Sequence, residues 1–490
     1  MVHYQQVLNI TENGANMKKE FLVKNFLESI EKIKPIIDAI QSSSGVAYAV
    51  GGCVRDLVLN RKIKDIDIEV HGITSDELEK GLNAFGPVSL VGKQFGVFKI
   101  AHSDIDWSLP RKDSVGRKPT VEIDPEMSIQ EACRRRDVTM NAMAIDLNIL
   151  CQNIEHVKEL EIIDPFDGQK DIKNKTLRFV DETLFLDDPL RFFRVMQFVS
   201  RFEMMPNEQL STLCKTMELK DLAKERIFEE IKKILLQSKR PSLGFRWLLE
   251  INRLDEIFPE IGVLVKTQQR EDYHPEGNVF EHTMQAIDAA AVLNLYENEN
   301  EKLIIMFGVL CHDFGKPLVT NEQLHARGHE KSGVLVAKHF LKKLTSDKHL
   351  IDCVCKLTEF HSMPGQLLKQ NSSIKAYKRL AKKLAPEVTM RMLGMVYISD
   401  LRGRNPKGHE PLTEGHEPLI DVSGVFEAFT QKMREANIEH GPEKPVLLGR
   451  HLLDVVEPGP KLGKLLDKAY DIQIEEGITD PEELKKRVLK

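Results

Sequence analysis

Residues 47–68 read AYAVGGCVRDLVLNRKIKDIDI, and this stretch decides the fold. The apolar run 47–50 predicts a short strand that Gly51-Gly52 interrupts, residues 54–60 predict a helix, and 66–70 predict a second strand. Residues two apart on a strand point the same way, so Asp65 and Asp67 present two carboxylates on one face, a pattern that suits a divalent cation. Gly51 and Gly52 open a helix without side chains in the way, so backbone N–H groups can approach an anion, and Arg55 one turn on is within reach of a phosphate. Each feature has a plainer reading alone: a Gly-Gly pair is usually a turn, and a DxD on a strand is usually a solvated face. In this order and separation they describe a site for a metal-bound triphosphate.

Working outward, Phe21, Val23, Phe26, Leu27, Ile30, Ile33, Ile36 and Ile37 recur at helical spacing before the stretch. After it, 95–100 and 105–109 read as strands, and from about Asp181 the periodicity turns almost wholly helical. The class expected is therefore α+β: a mixed α/β region on a small sheet, then a helical remainder. Polar interruptions divide the chain into a polar extension 1–20 without assigned fold, then 21–150, 151–268, 269–405 and a helical tail 406–490, with a loop over 403–418.

The 490 residues are 41% hydrophobic and 29% charged, with a net charge of −6, which excludes disordered, collagen-like and disulfide-stapled classes. Cysteines at 53, 133, 151, 214, 311, 353 and 355 form no CxxC pair, so free thiols in a reducing, cytoplasmic compartment are expected. There is no apolar run of the roughly 18–20 residues a membrane span needs, and the first twenty residues lack a basic-then-apolar pattern, so neither export nor insertion is expected. A slightly acidic total leaves nucleic acid open as a partner, because binding depends on where Lys and Arg cluster.

Three more runs matter: Arg134-Arg135-Arg136-Asp137-Val138-Thr139-Met140-Asn141-Ala142, Ile163-Asp164-Pro165-Phe166-Asp167-Gly168, and Asp187-Asp188-Pro189-Leu190-Arg191-Phe192-Phe193-Arg194. In the third, a carboxylate and a guanidinium stand three residues apart on a predicted helix. Cytosine and adenine share an edge that pairs an amine donor with a ring-nitrogen acceptor, so Asp188 accepting and Arg191 donating would select C and A without a template. The plainer reading is a surface ion pair worth only about 0.3–0.5 kcal/mol.

With these runs in place, residues 45–270 resemble the class II tRNA nucleotidyltransferases of the polymerase-β superfamily, the CCA-adding enzymes. The resemblance implies Asp65 and Asp67 as catalytic ligands of Mg2+. It also implies nucleotide contacts from Gly52, Arg55, Arg136, Asp188, Arg191 and Arg194, with Asp106 as a third carboxylate and Arg111 as a triphosphate contact. The implied reaction is addition of CCA to the 3′ end of tRNA from CTP and ATP with release of pyrophosphate. A poly(A) polymerase or a partial CC- or A-adding enzyme is the alternative; residues 91–98, VGKQFGVF, lack a basic dipeptide associated with the poly(A) group. Two positions depart from the pattern: Asp187 replaces the usual Glu, and Gln197 a frequent Arg. On this reading 21–150 is the nucleotidyltransferase head and 151–268 a neck and RNA-binding body. There Lys224, Arg226, Lys232, Lys233, Lys239 and Arg240 either track tRNA phosphates or, interleaved with Glu225, Glu229 and Glu230, form a solvated face.

Between 274 and 400 the chain places His274, His282, His312-Asp313, His329, His361 and Asp400 in helical context. A His-Asp pair flanked by Val309, Leu310 and Phe314 is costly to bury unless it shares a ligand. Imidazole with carboxylate favours Mn, Ni, Fe or Zn. The segment resembles an HD-type metal phosphohydrolase, which implies His282, His312, Asp313 and Asp400 as ligands of a divalent transition metal. His329 and His361 are candidates for a second metal or a substrate phosphate, and Lys316 for neutralising phosphate. For His274 and His361 a packed, satisfied core histidine is an equal reading. The oligomeric state is left open.

Overall fold

The structure, a computed structural model, describes residues 5–8, 15–91, 96–113, 121–157, 159–406 and 422–490. The readings made on 92–95 and 407–418 lie outside the described residues. The chain divides into two compact units, Met1–Leu222 and Ala223–Lys490, so the stretch 151–268 contributes to both.

In the first unit, helix Ala15–Ser42 buries Val23, Phe26, Ile30, Ile33, Ile37 and Ile40, one stripe at three- and four-residue steps. The stripe joins a core with Ile68, Val70, Phe98 and Trp107 of the sheet. The strands are β1 Gln5–Leu8, β2 Val46–Val50, β3 Ile66–His71, β4 Val88–Val91, β5 Val97–Ile100, β6 Ile105–Ser108, β7 Arg111–Asp113, β8 Val121–Ile123, β9 Ala144–Asp146 and β10 Leu160–Ile163. Eight form one sheet in the order β1-β10-β9-β2-β3-β6-β5-β4, while β7 and β8 form a separate hairpin. Within the large sheet only β3 and β6 run parallel. Parallel strands start at the same end, and here their register sets Asp67 directly opposite Asp106. Ile66, Ile68 and Val70 face the core, leaving Asp67 and Glu69 on the other face.

Two details differ from the sequence expectations. The extension is not without structure: β1 pairs with β10 at the sheet edge, and the first helix begins at Ala15 rather than near Phe21. Asp65 is exposed and lies just before β3, which starts at the buried Ile66. The region beyond 181 is almost wholly helical, as expected, apart from Met205–Pro206, which pairs in parallel with Thr176–Leu177.

The second unit is helical. Helices Val279–Ala291, His329–Leu344 and Met390–Arg402 carry His282, His329 and Asp400; His312 and Asp313 follow the end of Glu299–Cys311, His361 follows Lys348–Phe360, and His274 precedes Val279–Ala291. A tail of Pro460–Glu476 and Pro481–Leu489 closes on its own small core of Leu447, Leu452, Ala469, Leu484 and Val488. Among the described residues no helix is long and apolar enough to cross a membrane. All seven cysteines are free thiols.

Two candidate catalytic centres

The first centre forms where β2 ends. Gly51 has φ +68, a left-handed conformation that a side chain would strain. A Cβ there would also stand 2.8 Å from Nη1 of Arg136. Arg136 runs under this turn and reaches Glu69 at 3.4 Å, and Glu69 in turn accepts from His71 at 3.0 Å. Beside it stand Asp65, Asp67 and Asp106. Burial raises the Asp67 carboxyl above its ordinary value, and the charges of Asp106 and Asp65 push the same way against the opposing guanidinium of Arg136. Asp106 is held by Lys99 at 3.0 Å, and carboxylate oxygens on this rim are the ligand type that hard divalent cations take.

Arg55 is 7% exposed, and its guanidinium donates to Asp56 and to Oδ1 of Asn141, both at 2.8 Å, while stacking 4.6 Å over the Phe202 ring. The structure thus shows Arg55 binding the turn to the 134–142 motif. In that motif Asp137 is the hub. Its Oδ1 accepts from the Val138 N–H and from Asn141, and its Oδ2 accepts from Nε of Arg194 at 2.6 Å. Burial would raise this carboxyl, but Arg194, Asn141 and Arg191 outweigh it and hold it down at about 2. A depressed carboxyl contributes stability above its unfolded value and loses it as pH falls through the folded value. Between pH 4 and 2 the protein should therefore lose on the order of 2 kcal/mol from this group. Urea midpoints measured across that range should fall for the wild type, while Asp137→Asn starts lower and lacks this part of the slope.

Asp188 lies in the turn before helix Leu190–Phe202, not on its face as the spacing suggested, because Pro189 sits at the helix start and disfavours a helical residue before it. Its Oδ1 accepts from the Leu190 N–H at 3.1 Å. Arg191 donates to the backbone carbonyls of Leu184 and Arg135, both at 2.7 Å. A guanidinium has five N–H donors, so these two bonds leave capacity to read a base. Gln197, at the departing position, is 1% exposed and packs inside the unit. Arg111 lies on β7 near enough to help hold the Glu69 carboxyl low. In the second unit, Lys232 and Lys233 pair with Glu229 and Glu230, Lys224 donates to Ser346, and Arg240 lies 4.0 Å from Asp288.

The second centre brings together every histidine and aspartate named for it. Three imidazoles are set by one device: Nδ1 of His312, His329 and His361 donates to the carbonyl three residues earlier, on Val309, Ala326 and Thr358, each at 2.7 Å. His312 and His361 close the last turns of their helices this way, satisfying carbonyls that would lack a partner. His282 uses a carboxylate instead, Oε1 of Glu276 at 2.7 Å, which also accepts from His274 at 2.9 Å. All four Nε2 atoms therefore face inward. His282 and His312 stand 3.3 Å apart at Nε2, and His329 and His361 3.1 Å apart. Asp313 lies between the pairs: Oδ2 is 3.2 Å from His312 and 3.7 Å from His282, and Oδ1 is 3.3 Å from His329 and 3.9 Å from His361. Asp400 reaches His282 at 3.0 Å and is clasped by Arg404 at 2.8 Å; Lys316 reaches Asp313 at 2.6 Å.

Inward nitrogen lone pairs at this separation, with buried carboxylates between them, form a donor set that fits divalent transition metals. Burial favours neutral Asp313 and Asp400, yet both carboxyls are held well below the ordinary value, Asp313 by His312 and Lys316 and Asp400 by Arg404 and His282. Gly315 lets this happen, since a Cβ there would lie 2.0 Å from the carbonyl oxygen of His329, so a side chain would drive the turn away from helix His329–Leu344.

Two partners escaped the sequence reading. Glu276, fully buried with Oε2 lacking a hydrogen-bond partner among the described residues, has a weak signal in its alternation with His274. The signal for Arg404 was its place four residues beyond Asp400. Outer partners that fix an imidazole tautomer typically change metal affinity by about 10–100-fold. Glu276→Gln should weaken metal binding by that factor, read by titration of the stripped protein with Mn2+ or Ni2+.

Residues 47–178 match the family described as "Poly A polymerase head domain", 208–264 that described as "Probable RNA and SrmB- binding site of polymerase A", and 279–387 the "HD domain". Fold and sites thus define a nucleotidyltransferase head carried on one chain with an HD domain. The chain is 33% identical over 373 residues to the Multifunctional CCA protein of Pasteurella multocida, covering 73% of this chain and 84% of that one. A second Multifunctional CCA protein, from Mannheimia succiniciproducens, is 33% identical over 379 residues, with the same coverage. The chain belongs to the family of the multifunctional CCA proteins. Its fold is also that of the Bacillus stearothermophilus CCA-adding enzyme solved with CTP, at TM-score 0.61, 18% identity and coverage of 94% of this chain and 97% of that one. The Thermotoga maritima CCA-adding enzyme complexed with tRNA gives 0.55, 19%, 99% and 98%.

Proposed function

We propose that this tRNA nucleotidyltransferase completes the 3′ CCA end of tRNA from CTP and ATP with release of pyrophosphate, using the rim of Asp65, Asp67 and Asp106, and that its HD centre is a metal-dependent phosphohydrolase. Family membership supports the first reaction. The observation that supports the assignment of its site is the parallel register that sets Asp67 opposite Asp106 beside the Gly51-Gly52 turn. Asp65 and Asp67 would hold Mg2+, which supplies activation of the RNA 3′-hydroxyl and charge relief at the triphosphate. The chain's own part is positioning. Gly52 opens the helix N–H groups to phosphate, Arg136 places positive charge under the turn, and Asp188 with Arg191 and Arg194 orders the nucleotide. The partition proposed is 21–150 as head, 151–268 as neck and RNA-binding body, 269–405 as hydrolase domain and 406–490 as tail. A reducing, cytoplasmic setting accords with seven free thiols.

In the HD domain His282, His312, Asp313 and Asp400 would hold one transition metal, with His329 and His361 sharing Asp313 toward a second. Such a centre supplies an activated water and polarises a phosphoryl group. Lys316 and Arg404 add positive charge beside it.

Incubation with Mg2+, CTP, ATP and a tRNA transcript ending at the discriminator base, followed by sequencing of 3′ ends, tests the first reaction. Ends reading CCA and no further support it; long A tails point to a poly(A) polymerase, and a CC or lone A to a partial enzyme. Asp188→Ala should raise KM for CTP and ATP about tenfold or more, the scale of one well-placed base contact, measured by single-nucleotide incorporation.

A further inference from the structure

Asp67, Glu69 and His71 follow one another along one face of β3 at the two-residue spacing of a strand. Asp67 belongs to the catalytic rim, and the two beyond it are tied to a single segment. The Glu69 side chain is 12% exposed and that of His71 8%. Nδ1 of His71 donates to the Met127 carbonyl at 2.7 Å, the Gly72 N–H donates to the Pro125 carbonyl at 2.8 Å, and Oε2 of Glu69 accepts from Nη2 of Arg136 at 3.4 Å. The end of β3 therefore grips the stretch 125–136 on both sides of helix Ile129–Arg134. Glu69 is also fixed from its other oxygen, since Oε1 accepts from Nε2 of His71 at 3.0 Å and that ring is packed edge-on against Tyr48. Burial would raise the Glu69 carboxyl, but the bond from His71 and the charges of Arg136 and Arg111 hold it below its ordinary value, so it is an anion that only accepts. A backbone carbonyl also only accepts, so the imidazole satisfies both neighbours by donating from both nitrogens, as an imidazolium. Two cations then share one carboxylate. Glu69 can orient the Arg136 guanidinium while the cluster keeps a net positive charge beneath the turn, which a lone Glu69–Arg136 pair would cancel.

We propose that Glu69 and His71 are positioning residues for nucleotide addition, which together hold Arg136 under the Gly51-Gly52 turn to meet the triphosphate of CTP or ATP. This rests on the reading of Arg136 as a nucleotide contact. The test is a double-mutant cycle on the full chain, with Mg2+, CTP and a tRNA transcript ending at the discriminator base, read as single-nucleotide incorporation. Glu69→Ala should raise KM for CTP about tenfold, the scale of one charge-assisted hydrogen bond, with the smaller part of the loss in kcat. Glu69→Gln, whose amide oxygen still accepts from Arg136, should recover most of that loss. In an Arg136→Ala background Glu69→Ala should raise KM no further, because the group it positions is gone. Should Glu69→Ala fail to fold, His71→Ala carries the same cycle, with a smaller rise in KM that again requires Arg136. The same rise in both backgrounds would overturn the proposal, since Glu69 would then act independently of Arg136. A KM that Arg136→Ala raises and Glu69→Ala leaves unaltered would overturn the positioning role alone. No change in KM from Arg136→Ala would overturn the nucleotide reading of Arg136 and the positioning role with it.

Discussion

Asp67→Asn is expected to reduce nucleotide addition by at least about 10³-fold, the scale on which a single preorganised electrostatic group in a transferring site acts. The substitution keeps shape and removes charge. Asp67 faces Asp106 across the β3–β6 ladder, and its carboxyl is raised by burial and by its acidic neighbours. A raised carboxyl is a destabilising group once pH exceeds its unfolded value, because ionisation on the rim costs more than ionisation in the unfolded chain. The metal-free variant should therefore be at least as stable as the wild type by urea denaturation at neutral pH. Loss of activity together with loss of stability would mean that Asp67 is a structural residue. Phosphohydrolysis by the same preparation reports on the other unit and should persist.

Asp313→Ala is expected to have the opposite profile: addition retained, hydrolysis lost, and stability lowered. Asp313 is 1% exposed and is approached by Lys316, His312, His282, His329 and His361. Removing it leaves Lys316, 9% exposed, with Gln269 as its remaining side-chain partner. Truncating one side of a buried charge pair costs about 3–5 kcal/mol. Metal analysis of purified protein checks the claim: wild type carrying a transition metal that Asp313→Ala lacks supports the centre. A metal content equal in both would remove Asp313 from the ligand set.

How much of this was legible in the sequence depends on the range of the interaction. The strand, Gly-Gly turn, helix and second aspartate strand are local, and each sits within a residue or two of its expected place. The HD residues were legible as a set because polar pairs inside apolar helices demand partners. The pairing of Asp67 with Asp106 was not, since a parallel register is set by packing of the whole sheet. The placement of Asp188 off the helix turned on one proline. The four-residue strand Gln5–Leu8 was missed because so short a segment offers too little periodicity to separate it from a polar tail. Arg55 and Arg194, expected at the nucleotide, also bind Asn141 and Asp137, contacts made across the fold that no spacing rule reports.

The histidines that end helices Glu299–Cys311 and Lys348–Phe360 serve as caps as well as inward-facing donors. The inward-facing set and the helix ends are therefore fixed by the same side chains. Loss of His312 or His361 would therefore unsettle a helix end as well as remove an inward-facing nitrogen, so the outline of this centre is held by the fold itself.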